Sequence, residues 1–188
     1  IRATNLALGG DDAFFTTVPS GFRGLTITPE LEAQFAQAER LTITSKSIIG
    51  FSAGTHAFND LVLDARGLRP YGRATGAPLP PDGFSPQTDT LVADPALPIA
   101  VGLQVRSLTL LNSDKDRGVC GGTYIVACGA TGNTLTIAAQ EVHFGSGAMR
   151  TYGFDASVTL TAANGVYAEG SGTFDVGGAK LVIDTPFL

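Results

Sequence analysis

A chain of 188 residues has the length of one domain, and folding at this size removes roughly 70% of the unfolded surface from water. Apolar residues make up 44%, with 24 Gly, 10 Pro, no Trp and only 15% charged residues, against about 25% in an average domain, which points to a β-rich fold with many tight turns. Twelve basic and seventeen acidic residues leave a net charge of −5 with the basic ones scattered singly, so neither nucleic acid nor an anionic membrane is expected as a partner.

Residues 1–10 carry no basic segment followed by an apolar run, and strand-like sequence both opens the chain (Asn5 to Leu8) and closes it (Leu181 to Ile183). The chain therefore reads as an excerpt of a longer protein. From the first strand onward one phrase returns, two apolar residues flanking one Thr, Ala or Val. The pairs are Leu6/Leu8, Leu25/Ile27, Leu41/Ile43, Leu61/Leu63, Leu108/Leu110, Leu135/Ile137, Val158/Leu160 and Leu181/Ile183. Their starts are 19, 16, 20, 47, 27, 23 and 23 residues apart, a period in the low twenties with one large gap.

Between the second and third pairs lies a segment with helical signals. Thr28 stands as N-cap, Pro29 opens the first turn, Glu30 and Glu32 are acidic there, and Leu31, Phe35 and Ala38 share one face. A short helix over residues 28–39 is expected, lying laterally with Leu31 and Phe35 over a flank of the strands. The large gap is explained by residues 70–98, which hold Pro70, Pro78, Pro80, Pro81, Pro86, Pro95 and Pro98. Proline cannot donate to a sheet ladder, so this stretch is expected to be a loop excursion and a place for a binding surface. Apolar runs such as residues 97–103 are broken by Pro98 and Gly102 and fall far short of the ~20 residues of a spanning helix, so no membrane insertion is expected.

Further along, Asn112, Asp114 and Asp116 alternate like the oxygen ligands of a calcium loop. Against that reading, Gly118 falls one position late and Thr123 stands where a bidentate Glu would close the site; a solvated turn accounts for the segment as well. Cys120 and Cys128 flank a Gly-rich stretch and are candidates for a disulfide in an oxidising compartment, with two buried thiols as the alternative. No zinc site is expected, because His56 and His143 are far apart in sequence and there is no CxxC pair.

Second apolar strands follow some pairs about seven residues on, at 48–51, Val142/Phe144 and Val166/Ala168, and aromatic ones at Phe58, Phe154 and Phe174/Val176 precede the next pair. Corners fall at Gly54, Gly145 to Gly147, Asn164-Gly165 and Gly177-Gly178. Three short strands per period describe one triangular coil, and the fold class expected is all-β, a right-handed parallel β-helix spanning residues 1–188. Its eight pairs would stack in one column of on the order of 38 Å. A β-sandwich has alternating strands too, but no reason to restate one signature at one period.

The runs Gly24 to Thr28, Arg40 to Phe51, Asp60 to Leu68, Asn133 to Gly145 and Ser157 to Gly165, with the closing Gly-Ser-Gly-Thr-Phe phrase from Gly170, resemble filamentous-haemagglutinin-type exoproteins of two-partner secretion. The resemblance extends across nearly the whole chain and is weakest at the Pro-rich excursion and the cysteine segment. It implies a late β-helical region of a large adhesin or toxin carrier, secreted to a bacterial cell surface, with no enzymatic activity and no cofactor. The partners it implies are a receptor or glycan on a host or neighbouring cell and an outer-membrane transporter for the parent chain. The paired cysteines depart from that family's cysteine-poor pattern.

The alternative is a carbohydrate-binding or carbohydrate-cleaving β-helix. Catalysis would need clustered acids, and only Asp11, Asp12, Asp64 and Asp184 lie on or beside the pairs. Tyr124, Tyr152 and Tyr167 with Phe144 and Phe154 could make an aromatic platform for sugars, although such rings more often stack inside a solenoid. His143 alternates with Val142 and Phe144 and is expected at the surface.

Overall fold

The computed structural model describes residues 5–10, 13–15, 25–46, 48–71, 98–114 and 132–188. They form β1 (Asn5–Gly10), β2 (Ala13–Phe15), β3 (Leu25–Ile27), α1 (Pro29–Phe35), β4 (Arg40–Ser45), β5 (Ile48–Ser52), β6 (Gly54–Asp64), β7 (Gly67–Tyr71), β8 (Ala100–Leu111), β9 (Thr134–Phe144), β10 (Gly147–Thr151), β11 (Ser157–Ala168), β12 (Gly172–Asp175) and β13 (Lys180–Asp184). Most of the described residues are strand, and one helix interrupts them.

Sheet one runs β1-β4-β6-β8-β9-β11-β13 and sheet two β12-β10-β7-β5-β2-β3, and every pairing in both is parallel. Sheet one is two ladders in sequence, because β6, β8, β9 and β11 are double-length strands whose pairing is interrupted at Asn59, Arg106 and Gln140 with the register kept, and shifts register between Ala162 and Gly165. Across the first ladder the rows are Gly54-Val101-Leu135-Val158-Leu181 and His56-Leu103-Ile137-Leu160-Ile183. Across the second they are Leu6-Leu41-Leu61-Leu108-Val142-Val166 and Leu8-Ile43-Leu63-Leu110-Phe144-Ala168. Sheet two is the third ladder, with rows such as Leu25-Ala13-Ile49-Leu68 and Ile27-Phe15-Phe51-Pro70.

The rows that point inward form one core, in which Leu41, Ile43, Leu61, Leu63, Leu103, Leu108, Leu135, Ile137, Val158 and Leu160 are buried. Each such side chain contributes about 1.5–3 kcal/mol by leaving water. Intervening Thr, Asp and Ser residues face outward, which is why the alternation sets the faces. Phe15 and Phe51 stack with ring centroids 4.7 Å apart, extending the same stacking to aromatic rungs.

The expectation of one column of eight equivalent pairs is corrected. Leu6/Leu8, Leu41/Ile43, Leu61/Leu63 and Leu108/Leu110 share the second ladder, whereas Leu135/Ile137, Val158/Leu160 and Leu181/Ile183 belong to the first. Leu25/Ile27 lies at the edge of sheet two. The secondary apolar strands likewise divide, 48–51 going to sheet two and Val142/Phe144 and Val166/Ala168 to the second ladder. The physical reason is that both ladders of sheet one need the same apolar-x-apolar phrase, so the phrase alone cannot say which ladder it joins. With six rungs rather than eight, the longest column spans about 24 Å at the usual strand spacing.

The helix is also shorter than expected, Pro29–Phe35 rather than residues 28–39. Its start follows the sequence, with the Thr28 hydroxyl accepting from the Leu31 N–H at 3.4 Å. Its end is decided by β6: Asn59 Nδ2 donates to the carbonyls of Ala36 (3.4 Å) and Ala38 (2.8 Å), and the Asp60 N–H donates to the Glu39 carbonyl at 3.0 Å. The helix thus takes the chain position of a first-ladder strand beneath β6. Phe35 packs against the core, whereas Leu31, 36% exposed, is not among the residues packed against it.

Among the described residues, sheet two has no rung between β7 and β10. Two sheet-one rungs, β8 and β9, intervene between β7 and β10, yet β7 and β10 pair directly, through Arg150 with Gly67 and Thr151 with Leu68 alone. Asn112 fills the step, its backbone N–H donating to Ser146 O (2.9 Å) and its amide to Ala148 O (2.7 Å). Gly147 makes room with φ +93°, and a Cβ there would collide with the Asn112 carbonyl. A cavity of about 240 Å³ lies beside this step, lined by Leu110, Phe144, Met149, Phe174 and glycine backbone.

Candidate functional site

The outward face of the second ladder carries the densest polar chemistry among the described residues. Its lower rows run Arg40-Asp60-Ser107-Glu141 and Thr42-Val62-Thr109-His143-Tyr167 in register. Asp60 lies 2.8 Å from the Arg106 guanidinium and 4.0 Å from Arg40. Asp64 accepts from the Ser113 N–H at 2.8 Å and its hydroxyl at 2.7 Å, which closes the turn after β8 onto the rung below.

Toward the upper end a compact group forms. His143 Nδ1 is 2.7 Å from Glu169 Oε1, and its Nε2 is 3.5 Å from Glu141 Oε2. The imidazole stacks on Tyr167, centroids 5.2 Å apart and planes 27° from parallel. Asn164 Nδ2 donates to Glu141 Oε1 at 3.5 Å, and the Tyr167 hydroxyl donates to the Asn164 carbonyl at 3.5 Å. The register explains the assembly: His143 and Tyr167 are cross-strand neighbours, and the extra residue between Ala162 and Gly165 pushes Asn164 out over Glu141. Chemically this is an open surface with carboxylate acceptors, an amide donor and an exposed aromatic ring.

Sequence-chosen residues are dispersed by comparison. Tyr152 and Phe154 are buried and Phe144 lies 5.1 Å from Phe174, so of the aromatic set only Tyr167 faces outward, and Tyr124 lies outside the described residues. Burial pushes the Tyr152 phenol up from its ordinary value, and its hydroxyl has no hydrogen-bond partner among the described residues. Asn112 is buried in the step between sheets and Asp114 is exposed. Asp116, Cys120, Cys128 and residues 72–97 of the Pro-rich excursion lie outside the described residues, as do Asp11 and Asp12. Among the described residues no three His, Cys, Asp or Glu side chains are grouped to hold a metal ion. No described helix is long and apolar enough to cross a membrane.

A second constellation was not singled out by sequence reasoning. His56 occupies an inward row of the first ladder, buried against Phe15 and Phe51. Its Nδ1 is 2.9 Å from Glu32 Oε1 of α1 and its Nε2 is 3.0 Å from the Ser52 carbonyl. Burial lowers its pKa, but the Glu32 hydrogen bond, the Ser52 carbonyl and the Glu32 charge together outweigh that, and the net direction is upward. The available signal was a histidine replacing Leu or Val in an apolar alternation, with two strands between it and an acidic helix.

No family model matches the chain, and neither a curated protein nor a solved structure matches it.

Proposed function

We propose that the three parallel ladders are the faces of one right-handed β-helix, and that the chain is a structural, adhesive segment of a secreted bacterial surface exoprotein of the filamentous-haemagglutinin type. The observation that carries the reading is the in-register stacking of equivalent apolar residues in ladders that are parallel throughout. Parallel strands need crossovers, and crossovers between neighbouring parallel strands are right-handed in about 98% of cases. Stacked passes bury one continuous core and leave long polar faces outward, which suits a stalk that presents contact surfaces. The parent chain would leave the cell through an outer-membrane partner transporter.

Beads coated with the 188-residue chain should adhere to host or bacterial cells more than beads coated with an unrelated β-rich domain. Equal adhesion across all cell types and glycan-stripped cells would overturn the adhesive role. A second reading, carbohydrate binding, is favoured by the Tyr167, Glu141, Asn164 and Glu169 group. On a glycan array Tyr167→Ala would then abolish the signal, whereas a purely protein-directed adhesin would give no array signal at all.

A further inference from the structure

We infer that His56 sits in the core as an imidazolium and acts as a pH-operated latch on α1, so that loss of one proton releases the helix from β6 while the ladders stay folded. The geometry asks for a proton on each ring nitrogen. Nδ1 lies 2.9 Å from the Glu32 carboxylate and Nε2 lies 3.0 Å from the Ser52 carbonyl, and an ionised carboxylate and a carbonyl can only accept. A neutral imidazole has one N–H, so it satisfies one of these oxygens and turns a lone pair toward the other. The residue is 4% exposed, which leaves little solvent contact to compensate.

The charged group that faces the ring is Glu32, from α1. Glu30, on the same helix, is exposed and hydrogen-bonded to Thr28. Phe15 of β2 and Phe51 of β5 stand edge-on to the imidazole, with centroids 5.6 and 5.2 Å away, and Leu103 is its cross-strand neighbour on β8; none of the three titrates. The two oxygen partners are held differently. Ser52 ends β5 and pairs with Tyr71 of β7, so its carbonyl is fixed in sheet two. Glu32 belongs to a helix of 7 residues without a buried side chain, tied down beyond its last turn by Asn59 and Asp60. When one proton leaves, the fixed carbonyl keeps the remaining N–H and the Nδ1 lone pair meets the carboxylate, which is repulsive in a poorly solvated site. α1 is then the element that gives way, and the edge of β6 from Gly54 to Phe58, which no described strand pairs on that side, is uncovered. Exposure of an internal strand edge is thereby tied to the pH around the molecule.

Peptide-resolved hydrogen exchange on the 188-residue chain, corrected for the intrinsic pH dependence of exchange, tests this between about pH 5 and about pH 9. Amides of residues 29–35 and 54–58 should exchange roughly tenfold faster above the titration of His56 than below it, the size expected for one lost charge-assisted hydrogen bond. Peptides covering residues 135–137 and 158–160 should keep their protection. In NMR spectra both imidazole nitrogens should carry protons on the acid side, and the ring should titrate at the pH where α1 is released. Glu32→Gln should move that midpoint to lower pH. His56→Leu, which matches Leu103, Ile137 and Leu160 in its row, should stay folded by circular dichroism and leave α1 exchange without pH dependence. A ring with one proton on the acid side, α1 exchange that is flat across the titration, a midpoint unmoved by Glu32→Gln, or all peptides opening together would each overturn the inference.

Discussion

The two ends of the stack solve one problem in different ways. At the first-ladder end beneath β6, a helix takes the place of a strand, and its Glu32 reaches into the core to the buried His56. At the β13 end the inward row is 41% and 40% exposed, at Leu181 and Ile183. A parallel sheet must end somewhere, and its last rung exposes both backbone groups and apolar side chains. The end beneath β6 is covered by polar contacts with α1, whereas Leu181 and Ile183 are packed on one side only, by the rung of β11.

The largest effect that would sharpen this contrast comes from two truncations in one row. Leu160→Ala, fully buried, should cost about 2–5 kcal/mol in urea unfolding. Ile183→Ala, the next residue of that row, should cost no more than about 1 kcal/mol, because a site open to water leaves no cavity. Equal costs would mean that the β13 end is as closed as the interior.

Next in size is the closed end's own contact. Glu32→Ala leaves His56 Nδ1 without its partner and should cost about 1–3 kcal/mol. The same pair predicts a pH dependence. The folded pKa of His56 is raised above 6.5, so the folded state binds the proton more tightly than the unfolded chain does. This contribution is fully present below pH 6.5 and is lost as pH rises through the raised value. Urea midpoints should therefore fall from pH 6 upward, and Glu32→Gln should flatten the slope; a parental profile unchanged in the variant would remove Glu32 as the cause. The smallest effect is expected from Thr28→Ala, near 0.5 kcal/mol at the low end for an N-cap, because the bond to Leu31 is long at 3.4 Å. Thermal melts would detect it.

Much of the fold was legible in residue order. Alternation such as Leu41-Thr42-Ile43 and Val158-Thr159-Leu160 sets strand faces by geometry alone, and Thr28-Pro29-Glu30 sets the helix start because capping is local. The assignment to ladders was not legible, since Leu108/Leu110 and Leu135/Ile137 carry the same phrase and yet stand in different ladders. The candidate site was less legible still. His143 faces outward as expected, but its neighbours Tyr167 and Glu169 come from the next rung and depend on a bulge at Asn164-Gly165, a dipeptide that marks a turn without saying that the strand continues through it.

By itself, then, the sequence determined that short strands with one buried face would recur and where a helix would begin, because these follow from side-chain period and backbone chemistry within a few residues. Which strand lies on which, that β7 pairs with β10, how α1 ends at Ala36, and that His56 meets Glu32 were decided only in the folded molecule. Those outcomes depend on contacts between residues 21 to 83 positions apart, and such contacts are selected by the fit of whole rows rather than by any single stretch of chain.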